Sequence, residues 1–218
     1  MTRKGNPHLA TALRHDGPQP ADAALAAVLV HGRGQDPDYM AEVAKRIGMA
    51  DVRCVYPAAF GNSWYPGRFM DALEANEPWL SYALEAVDYA LTTLSADGFD
   101  SRRTALIGFS QGACLIAEYL VRHPRSFGAV AVLTGGYLGP DGPVRRATGM
   151  LLGTPVLLSS SQVDEWVPPG RVRQTAALLQ TMGAAVTLRI HDAPEHGVND
   201  TEARAVRDLL DAVTSKTH

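Results

Sequence analysis

Cysteine is scarce in this chain, with only Cys54 and Cys114 among 218 residues. Both lie inside apolar stretches, VRCVYP and GACLIAEYL, and there is no Cys-x-x-Cys pair and no Cys/His cluster. That placement excludes a disulfide-stapled scaffold and a structural metal site, and it reads each thiol as a small buried hydrophobe. A surplus of positive charge is also missing. The net charge is −3 and no run of lysine or arginine occurs, so nothing favours a nucleic acid or an anionic membrane as partner. The pairs Arg102-Arg103 and Arg145-Arg146 are expected on solvated surface. Long apolar runs are absent as well, because no stretch approaches the roughly 18 residues an integral membrane segment needs. The chain opens MTRKGNPHLATALRHDGPQP, with no apolar segment behind the basic residues, unlike a secretory leader. The expected setting is cytoplasmic and reducing.

What is present is an ordinary globular composition, 46% hydrophobic and 20% charged. The length suits one domain with a sizeable core. Short apolar runs alternate with helix-length amphipathic segments. Strands are expected at 25–32, 52–57, 104–109, 127–135, 155–161 and 185–192. Helices are expected after Asp36 and over 77–98, 111–124, 168–183 and 199–215, the last capped by Asn199 or Asp200. This alternation predicts an α/β fold with a mostly parallel sheet and helices on both faces. Runs such as AAVLVH and AVAVL are apolar throughout, as doubly covered parallel strands should be. The expected organisation is a single domain over 1–218, with 1–24 as an N-terminal extension or edge strands and 25–215 as the core. The Gly- and Pro-rich stretches 57–76 and 135–154 are expected as excursions above the sheet.

The stretch Gly108-Phe109-Ser110-Gln111-Gly112 follows a strand and precedes a helix. It fits G-x-S-x-G, a sharp turn that projects a serine hydroxyl at the carboxyl end of a sheet, beside a helix N-terminus. The competing reading is a packing turn. A serine nucleophile needs a neutral imidazole to take its proton and a carboxylate to orient that imidazole. Among the histidines after Ser110, His123 ends a helix, His191 lies within a strand and His218 is terminal. His196 sits in the loop DAPEHGVND after the last strand and is the favoured base, with His191 the runner-up. In SSSQVDEWVPP, Asp164 is the favoured acid; Glu165 and Asp192 compete. Two N–H donors should receive an oxyanion. One is the amide of Gln111. The other is the amide of Arg33 in the loop HGRGQD, where His31 is read as architectural.

LVHGRG, GFSQGA, SSSQVDEWVP and PEHG together resemble the phospholipase/carboxylesterase branch of the α/β-hydrolases, which includes acyl-protein thioesterases. The resemblance covers about residues 25–215. It implies an α/β-hydrolase fold without a large cap domain and a serine hydrolase acting on carboxylic esters or thioesters. By position it implies Ser110 as nucleophile, Asp164 as acid, His196 as base, and Arg33 and Gln111 as oxyanion donors. Such chemistry needs neither a metal nor an organic cofactor. Lactone, dienelactone or C–C bond hydrolysis on the same scaffold stays open, as does a non-catalytic small-molecule binder. The loop HGRG and the segment NSWYPGRF depart from the thioesterase pattern around the pocket. Trp64, Tyr65, Phe69, Met70 and Trp166 are candidate pocket walls, and Arg33 with Arg68 is a candidate receiver of an anionic substrate group.

Overall fold

A computed structural model describes residues 5–142, 145, 149–192 and 196–215. Arg146, His218 and the Pro194-Glu195 part of PEHG lie outside the described residues. Among the described residues, seven strands form one sheet: β1 (Arg14–Asp16), β2 (Ala26–Val30), β3 (Arg53–Tyr56), β4 (Thr104–Phe109), β5 (Ala129–Leu133), β6 (Pro155–Ser161) and β7 (Ala185–His191). Their spatial order is β1-β3-β2-β4-β5-β6-β7. All pairs are parallel except β1 with β3, where Arg14 faces Tyr56 in antiparallel register. The short edge strand β1 lies within 1–24, expected as an extension or edge strands; its three polar residues give no apolar alternation from which to place its bounds.

Among the described residues, five α-helices cover the sheet: α1 (Pro37–Ile47), α2 (Trp79–Ala96), α3 (Gln111–Arg122), α4 (Pro169–Thr181) and α5 (Asp200–Thr214). Successive side chains of a strand point to opposite faces, and the central strands therefore feed two cores. Val28, Val30, Leu106, Val130 and Val132 pack with α2, α3 and α4. Ala27, Leu29, Ile107, Phe109 and Ala131 pack with α1 and α5. Strands β2, β4 and β5 are buried at every position, which is why their sequences lack alternation. Asp36 caps α1 through the N–H of Tyr39 at 3.1 Å, and Gly48 ends it in the left-handed region at φ 84°. Asn199 caps α5 in a reciprocal box with Glu202. Among the described residues, no helix is long and apolar enough to cross a membrane.

Two arginines expected on open surface are structural. Arg103 donates to the carbonyls of Ala24 and Ala23 at 3.1 and 3.0 Å, tying the approach to β2 onto the start of β4. Arg145 donates to Leu138 O and pairs with Glu118, a fully buried carboxylate on α3 that Arg122 also reaches. A buried charge is tolerated only when paired, so these cations answer Glu118 rather than solvent.

Candidate active site

The strand ends collect the chemistry at one rim. Strand β4 lies at the middle of the sheet, and its carboxyl end runs straight into α3 through Ser110. Ser110 sits at φ 52°, ψ −119°, a region costly for a residue with a Cβ. Glycine on each side makes that turn sterically feasible. A Cβ on Gly108 would lie 2.5 Å from the Gly112 carbonyl oxygen, and one on Gly112 would lie 2.2 Å from the Val30 carbonyl oxygen. The two glycines let α3 start in contact with both its own strand and the end of β2.

Ser110 Oγ lies 2.9 Å from His196 Nε2, and His196 Nδ1 lies 2.7 Å from Asp164 Oδ2. A carboxylate can only accept, so Nδ1 carries the proton and Nε2 is free to accept from the serine hydroxyl. Asp164 is held as well as holding: its Oδ1 accepts the N–H groups of Trp166 at 2.9 Å and Val167 at 2.8 Å. Its carboxylate is 2% exposed, so little water competes for the imidazole. Phe109 packs on the His196 ring, with centroids 5.3 Å apart. Of the competitors, Glu165 is exposed, and His191 Nε2 faces Glu202 Oε1 at 3.3 Å.

The loop after β2 closes on the serine from the other side. A Cβ on Gly32 would lie 3.0 Å from Ser110 Cβ. The N–H of Gly32 goes to Gln35 Oε1 and that of Gly34 to the Asn62 carbonyl. The Arg33 amide between them has no partner among the described residues. His31 is wholly buried and architectural: Nδ1–H donates to Gly32 O at 2.7 Å and Nε2 accepts the Ala59 N–H at 3.1 Å. Burial pushes its pKa down, keeping the ring neutral.

A cavity of about 570 Å³ opens beside Ser110. Tyr65, Arg68, Phe69 and Trp166 line it, together with Arg33 and Gln111. Trp64 and Met70 do not line it. Trp64 is fully buried, its Nε1 donating to His31 O at 2.8 Å and its ring packed against His31 and His8 at 5.0 and 5.3 Å. The segment folds back over the end of β2, which turns the indole into the core and its neighbour Tyr65 toward the cavity. The Arg33 side chain is also corrected: its guanidinium donates to the carbonyls of Tyr65, Pro66 and Gly67, so it is a clamp on the wall and not a free anion receiver. The Gln111 side chain adds a second clamp, accepting Trp64 N–H at 2.9 Å and donating to Tyr65 O at 2.8 Å.

Several contributors escaped sequence reasoning. Cys114 and Val167 line the cavity; Cys114 stands one helical turn after Ser110, a spacing that does place it under that serine. The buried Tyr65 hydroxyl stands against the Cys114 thiol, which burial pushes up to about 12. His8 braces the cavity loop from the N-terminal segment, its Nε2 on Trp64 O at 3.1 Å and its Nδ1 accepting Phe60 N–H at 2.9 Å. No local signal marks that contact. Among the described residues, no group of His, Cys, Asp and Glu side chains is arranged to hold a metal.

Comparison with known proteins agrees with this architecture. A family model described as phospholipase/carboxylesterase matches residues 17–214. A phospholipase/carboxylesterase from Dyadobacter fermentans is 31% identical, with TM-score 0.86, covering 91% of this chain and 95% of its own. A Mesorhizobium loti carboxylesterase (22% identical, TM-score 0.67, covering 88% and 91%) and one from Bacillus cereus (18%, 0.71, 94% and 97%) share the fold. No curated protein matches the chain.

Proposed function

Because the chain belongs to the phospholipase/carboxylesterase family, we propose that it hydrolyses carboxylic esters or thioesters through an acyl-enzyme formed on Ser110. The observation that carries this is the continuous hydrogen-bonded chain from Ser110 Oγ through His196 to Asp164, at 2.9 and 2.7 Å. Ser110 Oγ attacks the carbonyl carbon while its proton passes to His196 Nε2. The imidazolium that forms is stabilised by the Asp164 carboxylate, whose other oxygen is already fixed by two amides. The tetrahedral oxyanion is received by the amides of Gln111, at the N-terminus of α3, and of Arg33, where partial positive charge is in place before reaction. The intermediate collapses, the carbon–oxygen or carbon–sulfur bond breaks, and His196 gives its proton to the departing group. Water then repeats the sequence: His196 takes its proton, the acyl–serine bond breaks and Ser110 is restored.

Stopped-flow hydrolysis of p-nitrophenyl acetate tests this. The wild-type protein should show a burst followed by steady turnover and should label with a fluorophosphonate. Ser110→Ala should lose both, with kcat reduced by about 10⁶-fold. A burst retained in that variant would remove Ser110 from the mechanism.

A further inference from the structure

The cavity wall carries two guanidinium groups and one exposed carboxylate, from Arg33, Arg68 and Glu165. Neither arginine has an acidic partner among the described residues. Arg33 spends its donors on three carbonyls, which satisfies its hydrogen bonds and leaves its charge uncompensated. Arg68 differs. Its backbone is fixed on all sides: Arg68 N–H donates to Asp71 Oδ2 at 2.7 Å, its carbonyl accepts from Asn76 Nδ2 at 3.0 Å, and Gly67 N–H donates to Asn76 Oδ1 at 2.8 Å. Asn76 is fully buried, so the anchor is part of the core. Asp71 accepts the Arg68 N–H and forms no ion pair with its guanidinium. A rigid base thus presents an unpartnered planar fork of donors at the mouth of the cavity, the geometry that suits a carboxylate.

The reaction geometry decides which half of the ester meets Arg68. His196 must return its proton to the leaving group, so that group lies on the His196 side. Glu165 and Trp166 belong to the loop that carries Asp164 and flank the same side. The acyl group therefore extends the other way, along Tyr65, Arg68 and Phe69, the segment that Gln111 and Arg33 hold against the oxyanion site. Phe69, half-buried on that segment, offers apolar surface to methylene groups. Glu165 repels a negatively charged leaving group.

Resting on the serine-hydrolase reading, we infer that the cavity takes an acyl group ending in a carboxylate: the substrate class is the half-ester or half-thioester of a short dicarboxylic acid, with Arg68 binding the free carboxylate.

The test compares monomethyl succinate, glutarate and adipate with the methyl esters of the matching carboxamides, which keep shape and remove the charge. Turnover is followed in a pH-stat. The wild-type protein should favour the carboxylate by about tenfold in kcat/KM for at least one chain length, as one charge-assisted contact provides. The preference should appear mainly in KM and shrink at high salt. Arg68→Gln should bring the ratio toward unity, and Arg68→Lys should restore part of it. Wild-type ratios at or below unity for all three lengths, or a ratio unmoved by Arg68→Gln, would overturn the inference while neutral esters were still hydrolysed. Failure to hydrolyse either set, with no fluorophosphonate labelling, would instead sink the serine-hydrolase reading.

Discussion

The Glu202 carboxylate accepts the Ser159 hydroxyl at 2.7 Å, and its second oxygen accepts the Asn199 N–H at 3.0 Å. One buried acid on α5 thereby joins the end of β6 to the residue that closes the His196 loop. Glu202→Ala should destabilise the fold by about 2–3 kcal/mol, from a lost cap and an orphaned buried hydroxyl. It should also lower kcat by loosening the imidazole. Glu202→Gln, which keeps an acceptor, should lose less of both. Urea denaturation and steady-state kinetics measure this, and unchanged values for Glu202→Ala would count against the bracing role.

Arg33 supports the cavity wall through its side chain, and in the proposed mechanism its backbone N–H receives the oxyanion. Arg33→Ala keeps the amide and frees the carbonyls of residues 65–67. The expected cost is about tenfold in kcat/KM for neutral esters, because a displaced wall misplaces the acyl group. Arg33→Lys should not rescue, since one ammonium cannot reproduce a fork on three carbonyls. Wild-type kinetics in both variants would show the clamp to be dispensable.

Acid should weaken the fold through two histidines. Burial is the main cause holding His8 and His31 below the ordinary histidine value near 6.5. Both accept a backbone N–H from residues 59–60 through a ring nitrogen that must stay unprotonated. Below about pH 6.5 the unfolded chain takes up protons that the folded chain refuses, so unfolding becomes easier as pH falls toward the lowered values. Stability is fully present above that range. His15, also lowered chiefly by burial, acts in the same direction. Denaturation midpoints between about pH 5 and 8 should fall on acidification, less steeply in His31→Gln. A flat profile would disprove it.

The thiols should be silent in the folded protein. Burial pushes Cys54 and Cys114 each up to about 12, so almost no thiolate exists near pH 8. Ellman's reagent should report no thiol in native buffer and both after denaturation. Rapid native labelling would mean that the cavity opens to Cys114.

Much of this molecule could be read locally. Continuous apolar runs marked β2, β4 and β5 because a strand covered on both faces has no polar side to display. Asn199 marked the start of α5 because a cap depends on neighbours three residues away. The serine turn was legible for the same reason: the glycines at 108 and 112 answer contacts made within one strand–turn–helix unit, and Ser110, His196 and Asp164 could be named from loops that follow strands.

Side-chain direction around the cavity was beyond reach of that reading. Trp64 and Tyr65 are adjacent, aromatic and both buried, yet only Tyr65 reaches the cavity wall, because the sheet end under them takes the indole and the Gln111 and Arg33 clamps hold the Tyr65 backbone. Arg33, a candidate anion receiver by sequence, and Arg103 and Arg145, expected on solvated surface, became tethers, since their partners lie 7 to 80 residues away along the chain. Periodicity and punctuation encode contacts within a turn or two of backbone; a hydrogen bond closed by chain folding leaves no trace in the order of the residues that make it.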